Sequence, residues 1–343
     1  NLEASMNKVY MITNRKVRNN DLSDDLDGRE TRHYTSTKTG NELCSLASWS
    51  AVSADEFQAQ LAAEAAKFPD VDQDLNEQQR HVSLFVHGYN NTWQEAVKRY
   101  VKLRAGIFSG KKSLGIPVLF TWPSDGSVAA YLSDREDARA SAPQLADVFV
   151  RLNEHLLRMQ RAAAVSAIRN GALEGGKQDT ICRAKVSVIA HSMGNYVVQK
   201  ALAIAARKLN SPQLVTLVHQ LVMVAADVDN DIFQIDQPEQ SDGSLMANLC
   251  YRISALHSGL DQTLAASAGL KHFGTRRLGR SGLASASEVW DNVCSFNVTP
   301  LIENAGSSMH SAALDAPESL KLIKDILRGV DRRVLLDQYH LEA

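Results

Sequence analysis

The feature that most constrains the fold is a run of β-branched residues, 186–190, that ends abruptly at Ser192 and passes into a helical pattern. A serine between a strand and a helix is the context of the G-x-S-x-G elbow, in which a sharp turn lifts the hydroxyl above the end of a sheet. The motif in this chain is Ala190-His191-Ser192-Met193-Gly194, with Ala in place of the first Gly. The alternative is a buried strand followed by a serine N-cap, so the surrounding sequence must distinguish the two.

Apolar runs that read as strands alternate with helical patterns along most of the chain. The strand-like runs lie at residues 82–86, 116–122, 185–191, 220–226, 249–254 and about 289–296, and the main helical patterns at 93–107, 193–208 and 317–327. Nearly continuous apolar strands that alternate with helices indicate a mostly parallel sheet with helices on both faces. In such sheets the functional site lies at the carboxyl ends of the strands.

We expect residues 1–343 to form a single domain, because α/β folds of this length often form one unit. Residues 1–80 are predicted to be a peripheral N-terminal extension. It contains a strand at residues 8–13, then a polar surface loop with a hairpin or two, and a helix that begins at about residue 53 and runs to about residue 68.

Residues 127–183 are predicted to be a helical insertion, with its helical region at about 130–170. Apolar residues recur there at helical spacing, which favours a helix packed on the body of the protein; a cap over the site is the alternative. These residues are Leu145, Val148, Leu152, Leu156 and Met159.

Charge and cysteine content exclude several classes of partner. The 37 basic and 39 acidic residues leave a net charge of -2 without blocks of like charge, so nucleic acid and anionic membranes are not expected partners. The four cysteines lack metal-site spacing and are predicted to be packing thiols, so no metal site is expected. No apolar stretch is long enough to span a bilayer. A cytoplasmic protein is favoured, with a removed signal peptide as the alternative because the sequence begins at Asn1; the sequence does not indicate the oligomeric state.

If Ser192 is a nucleophile, it needs a base to take its proton and an acid to orient that base, in the chain order Ser, Asp or Glu, His. His310 lies in a small, polar loop after the last predicted strand and before the last long helix, and is predicted to be the base. His272 lacks a strand before it, and His340 lies in the C-terminal tail. The alternative is that His310 is an exposed loop histidine.

Asp261 is the predicted acid, because it ends a Ser-Gly-Leu turn directly after the penultimate strand. Asp227 is the alternative acid, with Asp229 behind it, since both follow the strand at residues 220–226. These carboxylates are otherwise explained as caps of a helix that begins near Asn230.

The oxyanion hole is expected to consist of the backbone N–H of Met193 and that of Tyr89, in the loop after the first long strand. Gly88 would allow the backbone to approach the substrate closely. Gly88, Trp93 and His191 are the predicted substrate-binding residues, and the side chains of Tyr89, Trp93 and Met193 are expected to line the acyl side. The alternative is that His87-Gly88 merely ends a strand.

Five short runs of the chain together resemble one known family. They are Thr13-Asn14-Arg15, Leu84-Phe85-Val86-His87-Gly88-Tyr89-Asn90-Asn91, Phe120-Thr121-Trp122-Pro123-Ser124-Asp125-Gly126, Ala190-His191-Ser192-Met193-Gly194-Asn195 and Ala225-Ala226-Asp227-Val228-Asp229. The chain is similar to the bacterial α/β-hydrolase family catalogued as domain of unknown function nine hundred. The resemblance implies the α/β-hydrolase fold and a serine hydrolase with Ser192, Asp261 and His310 in the three catalytic roles. It implies no particular substrate.

The sequence therefore predicts hydrolysis of a small-molecule carboxylic ester, with no cofactor required. Thioesters and amides would suit the same residues and are the alternatives within the enzyme class. A non-catalytic binding protein with the same fold is the alternative outside it, because fold alone does not imply activity.

Overall fold

The computed structural model of the protein describes residues 8–28, 30–65, 81–109, 114–124, 131–169, 184–209, 216–271, 275–306 and 308–342. Several sequence features lie outside these residues. They are the end of the first helix at Phe68, the turn residues Asp125 and Gly126, the two ends of the insertion 127–183, and also Cys182 and His272.

The described strands and helices alternate along most of the chain. The strands are β1 (Val9–Thr13), β2 (Arg15–Arg18), β3 (Asp21–Leu26), β4 (Arg32–Ser36), β5 (Ser50–Val52), β6 (His81–Val86), β7 (Gly115–Thr121), β8 (Lys185–His191), β9 (Val218–Val224), β10 (Cys250–His257) and β11 (Val293–Asn297). The helices are α1 (Ala54–Ala65), α2 (Trp93–Ile107), α3 (Tyr131–Arg169), α4 (Gly194–Leu209), α5 (Asp242–Leu249), α6 (Gln262–Ala266), α7 (Leu278–Ser281), α8 (Thr299–Ile302), α9 (Met309–Ala312), α10 (Pro317–Leu327) and α11 (Arg332–Tyr339).

Nine strands form one sheet in the order β11-β10-β9-β8-β6-β7-β1-β4-β5. The strands from β11 to β1 run parallel to their neighbours, and β4 and β5 add an antiparallel edge. This confirms the predicted α/β fold with a mostly parallel sheet. The N-terminal part is less peripheral than expected, because β1 pairs with β7 on one side and β4 on the other. Only β2 and β3 form the separate hairpin that the sequence suggested.

Strand residues alternate between two apolar layers, one on each face of the sheet. Val188 and Ala190 of β8 point into the layer formed with α1, α3, α4 and α5. Ile189, between them, points into the layer formed with α2, α10 and α11. The central strands are covered on both faces, which explains why their sequences are continuously apolar.

The predicted apolar stripe of α3 packs into the first of these layers, where Leu145, Val148, Leu152 and Leu156 are buried. The helix starts at Tyr131, which packs against the same layer beside the half-buried Tyr89. None of the helices in the described ranges is both long and apolar enough to cross a membrane.

The connection between β6 and β8 places the loops of interest side by side. The chain leaves β6 for β7 on one side of it and returns to β8 on the other, so the strand order reverses at β6. Val86, the last residue of β6, is the register partner of Ala190. The residues that follow, His87-Gly88 and His191-Ser192, therefore leave the sheet next to each other at its carboxyl edge. Such reversal points are where open α/β sheets bind ligands.

Candidate active site

Ser192 occupies a strained turn between β8 and α4. Its φ of 53° lies in the left-handed region, which is costly for a residue with a side chain and typical of functional turns. Its N–H donates to the carbonyl of Val224 on the neighbouring strand at 3.0 Å, which holds the turn to the sheet. A Cβ atom at Gly194 would collide with the carbonyl oxygen of His87, so the second small position of the motif is needed for close packing.

Asn195 stabilises this turn, a role that the sequence reasoning did not assign. Its Nδ2 donates to three backbone carbonyls, those of Ala190 at 3.1 Å, Ser192 at 3.1 Å and Val224 at 3.3 Å. The side chain is fully buried, so these bonds are shielded from water. Asn195 thereby fixes the backbone on both sides of Ser192.

Ser192, His310 and Asp261 lie in one row at hydrogen-bonding distance. His310 Nε2 is 2.8 Å from Ser192 Oγ, and His310 Nδ1 is 2.7 Å from Asp261 Oδ2. Because an ionised carboxylate only accepts hydrogen bonds, Nδ1 carries the proton and Nε2 presents its lone pair to the serine hydroxyl. His310 lies in the short helix α9 rather than in the predicted loop, but between the two elements that the sequence indicated, β11 and α10. In this arrangement the imidazole can take the proton of the hydroxyl.

Asp261 is oriented by its second oxygen. Its Oδ1 accepts the N–H of Leu264 at 3.0 Å and so forms the N-cap of α6. The residue is 1% exposed, and Arg280 donates to its backbone carbonyl at 3.2 Å. The position of the carboxylate is therefore fixed by contacts that do not depend on His310.

His191, predicted to bind substrate, also holds the backbone of His310. Its Nε2 donates to the carbonyl of His310 at 2.9 Å, and the two rings lie 4.9 Å apart. Burial, followed by unfavourable electrostatic interactions with the neighbouring His310 and Arg99 side chains, keeps the pKa of His191 well below its usual value. His191 is therefore neutral, and its Nδ1 has no hydrogen-bond partner among the residues that the structure describes.

Asp227, the alternative acid, belongs to a different network. Its carboxylate accepts from Tyr131 Oη at 2.6 Å and Ser267 Oγ at 2.9 Å, and it lies 3.4 Å from Arg277 Nε. Arg277 also pairs with Asp229, the third candidate. No helix begins at Asn230, so the helix-cap explanation of these two carboxylates does not apply. The backbone N–H of Asp227 donates to the carbonyl of Ser192 at 3.2 Å, so Asp227 still contacts the elbow.

The loop after β6 is held by a chain of hydrogen bonds that starts at the buried Arg15. Arg15 Nε donates to Thr121 Oγ1 at 3.0 Å, and Thr121 Oγ1 lies 3.1 Å from His87 Nε2. His87 Nδ1 then donates to the carbonyl of Gly88 at 2.8 Å. Burial, followed by the charge of Arg15, lowers the pKa of His87 to about 3, so the ring is neutral and its tautomer is set by these partners.

Gly88 lies directly against the serine, as its expected role requires. A Cβ atom at this position would be 2.8 Å from Ser192 Cβ and 3.2 Å from the carbonyl oxygen of His191. No residue larger than glycine fits there without displacing the elbow. The backbone of the loop is consequently as close to Ser192 as packing allows.

Two of the predicted acyl-side residues do not reach the site. Trp93 is buried in the apolar layer of α2, α10 and α11, and Met193 is buried in the layer on the other face. Trp93 shares a helical face with Ala96, Val97 and Tyr100, all of which are buried, so its side chain points toward the sheet. Of the three, Tyr89 alone is among the described residues that line the cavity next to His310.

A cavity of about 530 Å³ opens beside His310. Its wall includes Tyr89, His191, His310 and three cations of α2, namely Lys98, Arg99 and Lys102. Burial, and then the charges of Asp227, Asp134 and Asp261, raise the pKa of Tyr89, so its hydroxyl stays protonated. The cavity is thus polar, with charged residues of α2 in its wall that the sequence reasoning missed, because Trp93 was the one side chain of α2 considered for the site.

A mostly parallel sheet with a serine elbow at its carboxyl edge defines the α/β-hydrolase class. The chain belongs to the family described as "Alpha/beta hydrolase of unknown function (DUF900)", whose model matches residues 63–162 and 177–319. This confirms the resemblance drawn from the sequence motifs, and membership in this family supports a hydrolase.

Comparison with solved structures gives distant similarities. Lipase B of Aspergillus fumigatus is 11% identical with a TM-score of 0.39, and the match covers 80% of this chain and 57% of the lipase. An esterase from Pyrobaculum calidifontis is 11% identical with a TM-score of 0.31, covering 84% of this chain and 92% of the esterase. A monoclinic crystal form of a Pyrobaculum calidifontis esterase is 12% identical with a TM-score of 0.32, and the match covers 80% of this chain and 91% of that esterase. No curated protein matches the sequence significantly.

Proposed function

We propose that the protein is a serine hydrolase that cleaves small-molecule carboxylic esters through an acyl-enzyme on Ser192. The observation that carries this proposal is the row of hydrogen bonds from Ser192 through His310 to Asp261, at the carboxyl edge of the sheet and beside a cavity. A buried serine in a strained turn, with an imidazole lone pair 2.8 Å from its hydroxyl, is the arrangement that activates a serine nucleophile.

In the proposed reaction, Ser192 Oγ forms a bond to the acyl carbon while its proton passes to His310 Nε2. The tetrahedral intermediate then breaks its bond to the alcohol oxygen, which takes the proton from Nε2 and leaves. A water molecule gives a proton to His310 and attacks the acyl carbon, and the acid product leaves as Ser192 regains its proton. Asp261 keeps the imidazole in the required tautomer and stabilises the imidazolium that forms twice in the cycle.

The backbone N–H groups of Met193 and Tyr89 are the proposed oxyanion hole. Support for Tyr89 comes from the peptide that joins it to Gly88. The carbonyl of this trans peptide accepts from His87 Nδ1 at 2.8 Å and from Asn91 Nδ2 at 3.2 Å, so the N–H of Tyr89 points away from both donors. Donors fixed in this way cost no reorganisation when negative charge develops on the carbonyl oxygen.

Covalent labelling with a fluorophosphonate probe tests the nucleophile. We expect one adduct, located on Ser192 by peptide mass spectrometry, and none in Ser192→Ala. Heat-unfolded protein serves as the second control, because only the folded site activates the hydroxyl. A folded protein that is not labelled would support the non-catalytic alternative instead.

The ester class is tested with one acyl group in three linkages. We expect 4-nitrophenyl acetate to be hydrolysed with a larger kcat/KM than an acetyl thioester, and 4-nitroacetanilide to be the slowest. Ser192→Ala should abolish turnover of all three. A larger kcat/KM for the thioester or the anilide would move the proposal to a thioesterase or an amidase with the same residues.

A further inference from the structure

The wall that α2 contributes to the cavity is strongly charged. Lys98, Arg99 and Lys102 line it together with two acidic residues, Glu95 and Asp315. Such a mixture has no binding preference by itself, because neighbouring charges of opposite sign can neutralise each other. Which of these charges already have partners therefore decides what the cavity can bind.

Both acidic residues are engaged. Asp315 Oδ1 lies 2.6 Å from Lys102 Nζ. Glu95 closes the capping box of α2, since its Oε2 accepts from the N–H of Thr92 at 2.8 Å and from the hydroxyl of Thr92 at 3.0 Å. Within the described part of the chain, Lys98 and Arg99 have no carboxylate within ion-pair distance. Lys98 and Arg99 are thus the two cations of the wall without an ion-pair partner among the described residues, and its three cations and two carboxylates leave a net charge of +1.

Of Lys98 and Arg99, Arg99 gives the stronger indication of a ligand. Its Nη1 is buried and has no hydrogen-bond partner among the described residues, which is unfavourable for a charged donor. Burial lowers the pKa of Arg99, although the carboxylates of Asp315 and Glu95 act in the opposite direction. Its charge in turn contributes to the low pKa of His191. The guanidinium is therefore partly desolvated and close to the residue that precedes Ser192.

We propose that Arg99, assisted by the exposed Lys98, binds a carboxylate of the substrate, so that the protein acts preferentially on esters that carry a second, ionised carboxyl group. This inference rests on the proposed esterase function. A carboxylate accepts two parallel hydrogen bonds from a guanidinium, and such bonds are strong where water is excluded.

The number of available donors favours a carboxylate over a phosphate. A phosphate monoester carries about two negative charges and three acceptor oxygens, and its sites usually combine several cations with backbone N–H groups. Here one partly buried guanidinium and one exposed ammonium are available, because Lys102 is paired with Asp315. A single negative charge on a planar group matches this wall.

Matched pairs of esters that differ in one charge test the inference. The first pair is 4-nitrophenyl hydrogen adipate and 4-nitrophenyl methyl adipate, in which the charge lies in the acyl part. The second is 4-acetoxybenzoate and its methyl ester, in which the charge lies in the leaving group. We expect the charged member of at least one pair to have a kcat/KM about tenfold or more higher, and added salt to reduce this ratio.

Substitution of Arg99 should remove the preference. Arg99→Gln is expected to lower the ratio of kcat/KM for the preferred charged ester to kcat/KM for its methyl ester about 10- to 100-fold. Arg99→Lys keeps the positive charge but loses the two parallel donors of the guanidinium, so its preference for the charged ester should lie between those of the wild type and Arg99→Gln. Arg104→Gln is the matched control, because it removes the same charge from the same helix outside the described lining of the cavity.

The outcomes separate this inference from the proposed function. Hydrolysis of the neutral esters with no charge preference, or a preference that persists in Arg99→Gln, would overturn the carboxylate site alone. A larger kcat/KM for 4-acetoxyphenyl phosphate than for 4-acetoxybenzoate would show that the site binds a phosphate rather than a carboxylate. Absence of both turnover and fluorophosphonate labelling in folded protein would instead refute the esterase function. Each variant is checked for labelling of Ser192, so that a misfolded protein is recognised.

Discussion

Asp261→Asn tests the role of the acid sharply, because the two oxygens of this carboxylate have different partners. Oδ1 accepts the N–H of Leu264, and Oδ2 accepts from His310 Nδ1. Asparagine has the same shape but replaces one oxygen by an NH₂ donor. If the amide oxygen keeps the N-cap of α6, the NH₂ group faces His310 Nδ1. That nitrogen must then carry the lone pair, and the proton moves to Nε2, which faces Ser192 and can no longer accept its proton.

The N-cap decides between the two orientations of the amide. Turning the oxygen toward His310 would point the NH₂ group at the N–H of Leu264, which now lies 3.0 Å from the carboxylate oxygen. This loses a cap worth about 1 kcal/mol and leaves a buried N–H unpaired at a cost of about 1–3 kcal/mol. The two costs together are about 2–4 kcal/mol, so the active tautomer should be populated at roughly 0.1–3%, since 1.4 kcal/mol corresponds to about tenfold. Loss of the negative charge beside the imidazolium adds to this, so we expect kcat to fall about 10³- to 10⁴-fold.

The assay is kcat for 4-nitrophenyl acetate at saturation, together with the midpoint of thermal unfolding. Because the N-cap is kept, we expect Asp261→Asn to change the free energy of unfolding by less than about 1 kcal/mol. Asp227→Asn is the comparison: it should destabilise the protein, since Arg277 loses a buried partner, but reduce kcat far less. Activity of Asp261→Asn within tenfold of the wild type, with loss of activity in Asp227→Asn, would refute the assignment of the acid.

Two further predictions concern the residues that hold the loop after β6. Arg15→Met should lower the free energy of unfolding by about 2–4 kcal/mol and also lower kcat, because Thr121 Oγ1 and the carbonyl of Asn91 lose their donor; urea unfolding and turnover of 4-nitrophenyl acetate measure the two effects, and an unchanged midpoint would contradict the first. For His87, the folded pKa is about 3 and the unfolded value about 6.5, so only the unfolded chain binds this proton between those values. His87 therefore adds no pH dependence to the free energy of unfolding above about pH 6.5. Below pH 6.5 the free energy of unfolding falls by about 1.4 kcal/mol per pH unit, down to about pH 3. The free energy of unfolding, measured with urea, should fall by about 2 kcal/mol less between pH 7 and pH 5 in His87→Gln than in the wild type. An equal fall in the two proteins would refute the buried, neutral state of this ring.

The positions of Ser192, Asp261 and His310 at the sheet edge followed from chain order and strand ends alone. Ser192 and Asp261 follow the ends of predicted strands and His310 lies between the last strand and the last long helix, and parallel strands bring their carboxyl ends to one edge. A boundary error of a few residues does not matter for this argument. The predicted strand at residues 249–254 is β10, Cys250–His257, and Asp261 still follows it. The chain order therefore predicted Ser192, Asp261 and His310 for this edge, with Asp227 still open as the alternative acid.

The directions of the Trp93 and Arg15 side chains were harder to predict from the sequence, for two different reasons. For Trp93 the signal existed: Ala96, Val97 and Tyr100 recur at helical spacing from it, which predicts one buried face. For Arg15 no local signal exists, because charged residues are seldom fully buried, and its partners Thr121 and Asn91 are distant in sequence. Such a burial becomes predictable only when the pairing of β1 with β7 is known.

Two buried aspartates, Asp227 and Asp261, lie near the elbow of Ser192. Their other hydrogen-bond partners explain why Asp261 is the one that bonds to His310. Asp227 is surrounded by donors, since Tyr131, Ser267 and Arg277 all approach its two oxygens. Asp261 uses one oxygen for a backbone N–H, and its other oxygen faces His310. A carboxylate bound to an arginine is also a weaker acceptor for an imidazolium, because the guanidinium already compensates its charge. In the proposed reaction Asp261 therefore orients the base, whereas Asp227, through its backbone bond to Ser192, supports the elbow.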